Sequence, residues 1–355
     1  LGRYQDEITS LEKTLRSNPN HAQAWFHRGG ALSALGRTEE AVEAFRETLR
    51  IDPEDGRASF QLGALEKDLG HYDQAVEALE RATRLAPADA RTYYLVGLAR
   101  NGQGNHGEAA LAFRRSLEIE PGDGRVWYTL GWTLVKLGRF DEGKEAFERA
   151  TTLDPGNFQA WYNRAFCEKE LGLHHQAIAS IERALQIEPG HDGAWFLKGF
   201  SQKELGRYSE AVPSFGEATR INEMNGIGWF LLGWTLAKLG KYARAVEAFD
   251  QTLDIDPSRP DAWFQEGLVL EQFGEYDRAV PALETSLSLD PNQADYNFNL
   301  GFALWSAVTP DEAVREAAIA EANRAYHRAA ELNPGILVPE PHSLAVAERG
   351  PQPFH

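Results

Sequence analysis

The chain has 355 residues, 43% of them hydrophobic and 25% charged, with a formal net charge of −17 and one cysteine, Cys167. That apolar content argues against disorder, and the acidity argues against nucleic acid or an anionic membrane as the main partner, because both reward lysine and arginine. A lone cysteine rules out an internal disulfide framework or CxxC zinc site and suits a reducing, cytoplasmic compartment, and no apolar run reaches the ~18 residues of a membrane span.

Prolines stand at Pro19, Pro53, Pro87, Pro121, Pro155, Pro189, Pro257 and Pro291, each a multiple of 34 from the others, and only Glu223 interrupts the series. With proline at position 32 of a repeat, position 4 reads Trp25, Ser59, Tyr93, Trp127, Trp161, Trp195, Trp229, Trp263 and Asn297. Position 8 is glycine except at Ala165, position 15 is glycine from Gly36 to Gly274, and position 20 is alanine except at Gly143. Positions 4, 7, 8 and 11 share one helical face, and the Leu-Gly pair at 14 and 15 ends that first helix. A second amphipathic helix is predicted over about positions 18 to 30, stopped by the proline at 32.

Taken in order, residues 1–21 form a half repeat holding only a second helix, residues 22–225 repeats 1 to 6, and residues 226–293 repeats 7 and 8. Residues 294–334 form a degenerate ninth repeat with a long capping helix, entered through a capping box at Thr309, Pro310 and Glu312. Residues 335–355 are a proline-rich tail expected to be irregular. The chain opens on Leu1 and on an incomplete repeat, so residues are expected upstream, with a signal or anchor left open there. Pro213 and Pro281, at position 22, are placed near the first turn of their helices, and Glu223 beside Asn225, Gly226 and Gly228 predicts a loosened joint between repeats 6 and 7.

Repeat 7 carries Trp229, Leu232, Gly233, Leu236, Ala245, Phe249 and Pro257 at this register, and here the sequence resembles the tetratricopeptide repeat family over about residues 1 to 334. The resemblance implies an all-α solenoid, a right-handed superhelix of about nine helix-turn-helix repeats. It also implies that the stripe of positions 2, 5, 9 and 12 looks into a concave groove where ligands bind.

That stripe is aromatic here. Position 5 is Phe26, Phe60, Tyr94, Tyr128, Tyr162, Phe196, Phe230, Phe264 and Phe298, and position 9 is Leu98, Trp132, Phe166, Phe200, Trp234, Leu268 and Phe302 from the third repeat on. Positions 5 and 9 are an i, i+4 pair, and aromatic rings of roughly 150 to 250 Å² each would expose a patch at or above the ~300 to 600 Å² of an ordinary monomer. Arg57, Arg91 and Arg125 at position 2 with Lys67, Lys169 and Lys203 at position 12 make one end of the stripe basic, while Asp261, Glu271 and Asp295 make the other acidic. Asp68, Glu170 and Glu204 at position 13 would blunt the basic half.

No phosphate loop, GxSxG elbow, HExxH helix or EF-hand loop occurs, and the adjacent His174 and His175 read as a solvated turn rather than a metal pair. The lysine and asparagine of the family's carboxylate clamps are missing from positions 5 and 9, and position 6 has asparagine only at Asn163 and Asn299. The expectation is a non-catalytic scaffold without cofactor or metal, whose groove binds an extended or helical partner peptide through Tyr94, Tyr128, Trp132, Tyr162, Phe166, Phe196, Phe200, Phe230, Trp234, Phe264 and Phe302, with Arg57, Arg91, Arg125, Lys169 and Lys203 orienting it. Two alternatives stand beside it: a structural protein that assembles head to tail with itself, and the recognition arm of an enzyme whose catalytic domain lies upstream.

Overall fold

The structure is a computed structural model and describes residues 2–306 and 312–336. Among the described residues there are nineteen helices and no strand, and the chain divides after Leu173 into two compact units. The first unit holds α1 (Gly2–Ser17), α2 (Ala22–Ala34), α3 (Thr38–Ile51), α4 (Gly56–Asp68), α5 (Tyr72–Leu85), α6 (Ala90–Gly102), α7 (His106–Ile119), α8 (Gly124–Lys136), α9 (Phe140–Leu153) and α10 (Phe158–Glu170). The second holds α11 (His174–Ile187), α12 (Asp192–Glu204), α13 (Tyr208–Ile221), α14 (Gly226–Lys238), α15 (Tyr242–Ile255), α16 (Pro260–Phe273), α17 (Tyr276–Leu289), α18 (Ala294–Ser306) and α19 (Glu312–Leu332).

Within each unit a first helix packs on the second helix of its own repeat and then on the next repeat, α2 on α3 and α3 on α4 in one unit, α14 on α15 and α15 on α16 in the other. This is an all-α solenoid, in which each pair supplies only part of a core that its neighbours complete. Most first helices begin on side-chain caps, α16 being an exception that opens on Pro260: Asp55, Asp89, Asp123, Asn157 and Asn225 accept backbone N–H bonds from the opening turn. His21 and His191 do the same through Nδ1, donated to by Ala24 and Ala194. The turn between paired helices needs a left-handed residue, and Gly36 supplies it at φ +73° while the Arg37 N–H reaches back 3.0 Å to the Leu32 carbonyl.

Close approach of paired helices is set by glycine at position 8 against a large side chain at position 24, phenylalanine in five repeats and leucine at Leu79 and Leu283. A Cβ on Gly97 would lie 2.5 Å from Phe113, and Phe45, Phe113, Phe147, Phe215 and Phe249 are fully buried. Repeats are also pinned at their joints by the position 4 indole: Trp127 Nε1 donates to the Pro121 carbonyl at 2.9 Å and Trp195 Nε1 to that of Pro189 at 2.8 Å. Trp229 makes the same bond at 2.9 Å to the carbonyl of Glu223, so the joint that lacks proline keeps its tie.

Pro213 and Pro281 are the sixth residues of α13 and α17, one turn deeper than the sequence places them. Each therefore removes a helical N–H bond that a first-turn proline would leave intact. The expected cap at Thr309 and Pro310 and the tail beyond residue 336 lie outside the described residues, and α19 is the longest helix at 21 residues. Its Tyr326 takes the place of the position 24 phenylalanine, 5.4 Å from the ring of Phe298.

Candidate ligand-binding face

The position 5 rings are half-buried, and six of the nine lean on the core ring of their own second helix. Tyr94 meets Phe113 at 5.8 Å, Tyr128 meets Phe147 at 5.7 Å, Phe196 meets Phe215 at 5.9 Å and Phe230 meets Phe249 at 5.7 Å between centroids. Tyr162 instead stacks on Phe158 at 5.8 Å, and Phe264 on Tyr296 at 4.1 Å. These rings are walls of the face as much as contact surface, since offset and edge-on pairs of this kind hold their orientation.

The position 9 rings are held differently, by the position 17 side chain of the preceding repeat. Phe140 stands edge-on to Phe166 at 6.2 Å and His106 to Trp132 at 6.1 Å in the first unit. In the second, Tyr208 stands edge-on to Trp234 at 5.8 Å and His174 tilts against Phe200 at 6.5 Å. His174 is thus partly buried against a ring, which corrects its reading as a solvated turn residue; of the two, His175 is the exposed one. Of the predicted position 9 anchors, Trp132 is the most open at 38% exposure, while Phe166, Phe200, Trp234 and Phe302 are half-buried.

Cations lie over these rings at both positions. Arg57 sits 4.7 Å from the Phe26 centroid, Arg91 5.1 Å from Phe60 and Arg259 4.7 Å from Phe230, so a position 5 ring is covered from the following repeat or the joint before it. Lys169 lies 5.0 Å from Phe166 and Lys203 5.0 Å from Phe200, each one turn along its own helix. Lys136 and Lys238, at position 13, do the same over Trp132 and Trp234, both at 5.0 Å. Such contacts are worth ~0.5 to 2 kcal/mol according to their desolvation, and burial holds the Lys238 ammonium below its ordinary range.

The basic end is partly neutralised. Lys67 pairs with Asp68, Lys169 with Glu170 and Lys203 with Glu204, while Arg125 is held by Asp123 at 2.8 Å, the hydrogen bond that keeps the Asp123 carboxyl below its usual range. Lys136 makes no ion pair among the described residues. Sequence reasoning passed over Lys136 and Lys238, although i, i+4 spacing from a tryptophan is the signal that finds them.

At the acidic end the expectation needs correction. Asp261 is taken by Arg259 at 2.6 Å, and Glu271 is only 4% exposed, so it offers no charge to a ligand. Among the described residues neither Glu271 oxygen has a hydrogen-bond partner, and burial pushes its pKa up to about 8. Glu266, also buried, rises to about 7, through burial first and then the carboxylate of Asp250. Buried acids elsewhere are matched: Glu66 lies 2.6 Å from Arg46 and 2.8 Å from His71, and Glu168 lies 2.9 Å from Arg164. Cys167 is buried too, with its thiol raised to about 12, so it is chemically quiet.

Stacked helix pairs with ring-lined first helices define a helical repeat protein of the protein-interaction class. The family profile described as tetratricopeptide repeat matches residues 1–56, 60–124, 128–192 and 196–260, a second of the same description matches 236–297, and the chain belongs to the tetratricopeptide repeat family. Among solved structures, it is similar to MamA 41-end from Desulfovibrio magneticus RS-1 at 28% identity, covering 44% of this chain and 88% of that one with a TM-score of 0.42. YrrB, whose structure is described as a TPR protein with an unusual peptide-binding site, matches at 22% identity over 52% of this chain and 95% of its own, with a TM-score of 0.48. The C-terminal part of a TPR repeat-containing protein from Cytophaga hutchinsonii matches at 13% identity over 67% and 97%, with a TM-score of 0.58, a likeness of fold. No curated protein matches the chain. Among the described residues, no helix is long and apolar enough to cross a membrane.

Proposed function

We propose that the protein is a scaffold whose first-helix faces bind segments of a partner protein in which apolar side chains alternate with acidic ones. One observation carries this reading: Trp132 is 38% exposed, and Lys136 lies 5.0 Å over its ring with no acid to answer it. An indole beside an unpaired ammonium offers an apolar contact and a charge within one side-chain length, which favours an apolar residue flanked by Asp or Glu. In the second unit, Ile227, 60% exposed, continues the face of Phe230 and Trp234, with Lys203 5.3 Å and Lys238 5.0 Å from the Trp234 ring.

A peptide array in which Phe, Leu or Trp is interspersed with Asp in one set and Lys in the other tests this. Binding of the acidic set, weakened roughly tenfold or more by Trp132→Ala in keeping with a ~2 kcal/mol hot spot, is the expected result. Equal binding of both sets, or affinity untouched by Trp132→Ala and Trp234→Ala together, overturns it.

A further inference from the structure

In the chain's numbering, position 25 of one repeat meets position 7 of the next at the joint between them. Glu182 and Lys198 fill these places between repeats 5 and 6 and form an ion pair at 2.9 Å, and Glu148 approaches Arg164 at 3.8 Å one joint earlier. Between repeats 6 and 7 the same places hold Gly216 and Leu232, and a Cβ on Gly216 would meet nothing within 4 Å. The missing pair leaves a hollow of about 570 Å³ lined by Gly216, Thr219, Trp229 and Leu232 below and by Arg220, Glu223, Arg244 and Gln251 around the rim. That volume lies within the ~300 to 1,000 Å³ of ligand pockets, and the hollows flanking Trp127 are smaller, about 250 and 320 Å³.

The rim is also distinctive in charge. Position 19 is Glu40, Gln74, Glu108, Glu142, Gln176 or Glu210 in the first six repeats and becomes Arg244 in the seventh. The first turn of α15 consequently has no acidic residue. Arg220 is already engaged by Glu217 at 2.7 Å, whereas Arg244 makes no ion pair among the described residues. A guanidinium without a carboxylate, above a floor of indole and leucine, is complementary to an apolar side chain with a carboxylate beside it.

We infer that this hollow, built from positions 4 and 7 of α14 and from α13 and α15 rather than from the ring-bearing positions 5 and 9, is a second binding site, for a partner segment that inserts one large apolar side chain and sets an adjacent carboxylate on Arg244. The carboxylate is either a chain terminus or the next Asp or Glu. The site is independent of the reading proposed above, and its test keeps the two apart.

Three probes suffice: acetyl-Gly-Ser-Phe with a free carboxylate, acetyl-Gly-Ser-Phe-Glu amide, and acetyl-Gly-Ser-Phe amide. Binding is followed through the Trp229 indole N–H resonance, whose proton donates to Glu223. At least one carboxylate peptide should shift that resonance and bind at least fivefold more tightly than the neutral amide; whichever does so identifies the source of the charge. Arg244→Gln should erase the difference and leave the neutral peptide unchanged, and Gly216→Glu with Leu232→Lys should abolish binding by restoring the neighbouring ion pair. Because Trp229 lines this hollow, affinities read from its resonance report on this site alone, and binding at the Trp132 and Trp234 rings is scored separately from their own indole resonances. No shift of the Trp229 resonance by any probe, or equal affinity of charged and neutral peptides, overturns the site, as does a well-folded double variant that binds like wild type.

Discussion

Asp250 of α15 raises the pKa of Glu266 of α16 across the joint between repeats 7 and 8, the place where Glu182 and Lys198 attract one another two joints earlier. Two acids occupy places that take an acid and a base at the joints between repeats 4 and 5 and between repeats 5 and 6, and burial of Glu266 sharpens the conflict. Asp250 is itself displaced upward, by burial first and then, after relief from Arg278, by its neighbours Asp254 and Glu247.

The pH dependence of stability follows with a definite sign. Glu266 at about 7 and Glu271 at about 8 hold their protons more tightly in the folded chain than in the unfolded one. Their contribution is complete below the ordinary carboxylate range and is lost as pH rises through 7 to 8. Each unit of displacement corresponds to about 1.4 kcal/mol, so the loss across that window is on the order of a few kcal/mol. Melting followed by circular dichroism should show wild type losing stability between pH 6 and 9, with Glu266→Gln/Glu271→Gln flatter over the same range and more stable at its alkaline end. Parallel curves for the two proteins would remove the argument.

Because a solenoid opens locally, the same loss should be confined to one end. Hydrogen exchange measured at pH 6 and pH 9, after correction for the intrinsic pH dependence of exchange, should show protection falling in α16, α18 and α19 and unchanged in α2 to α5. The Tyr326 hydroxyl, without a hydrogen-bond partner among the described residues and with its pKa raised by burial first and then by Glu271, lies in the region expected to open first. Uniform loss along the chain would contradict a local cause.

The fold was legible because the repeat forces many positions to agree at once: a large side chain at 24 needs a small residue at 8, and the left-handed turn needs Gly36. The face was less so. Ring contacts such as Phe140 on Phe166 join residues of successive repeats, and a helical-wheel argument within one helix cannot see them. That is why Phe166 and Phe200 are half-buried rather than open. Glu271 shares the helical face of Lys169 and Lys203, yet it is buried beside Tyr326, a neighbour set by the lengthened α19 and not by the period.

Two glycines one residue apart in register separate packing from propensity. Gly97 at position 8 faces Phe113, where a methyl group would fall 2.5 Å from the ring, so Gly97→Ala should cost about 1 to 3 kcal/mol by overpacking. Gly30 at position 9 of α2 has nothing within 4 Å of its added Cβ, so Gly30→Ala should gain about 0.5 to 1 kcal/mol from helix propensity alone. Urea unfolding of the two variants checks both, and a loss at Gly30 as large as that at Gly97 would show that position 9 is crowded in the first repeat.

The joint at Glu223 is the one between Pro19 and Pro291 that lacks the periodic proline. Absence of proline frees the backbone there, and by that reasoning its amides should exchange faster than those of the other joints. The Trp229 indole, however, donates to the Glu223 carbonyl at 2.9 Å, as Trp263 does to that of Pro257 at 2.9 Å, and the Asn225 side chain accepts from Gly228 at 2.8 Å. Exchange over residues 222–228 should therefore match the joint before Trp263. Trp229→Phe keeps an aromatic ring but removes the donor, a net ~0.5 to 1.5 kcal/mol, and should raise exchange at this joint several-fold while Trp263→Phe, where Pro257 still restrains the chain, raises it less. Equal acceleration in the two variants would mean that the indole bond, and not proline, sets the stiffness of every joint.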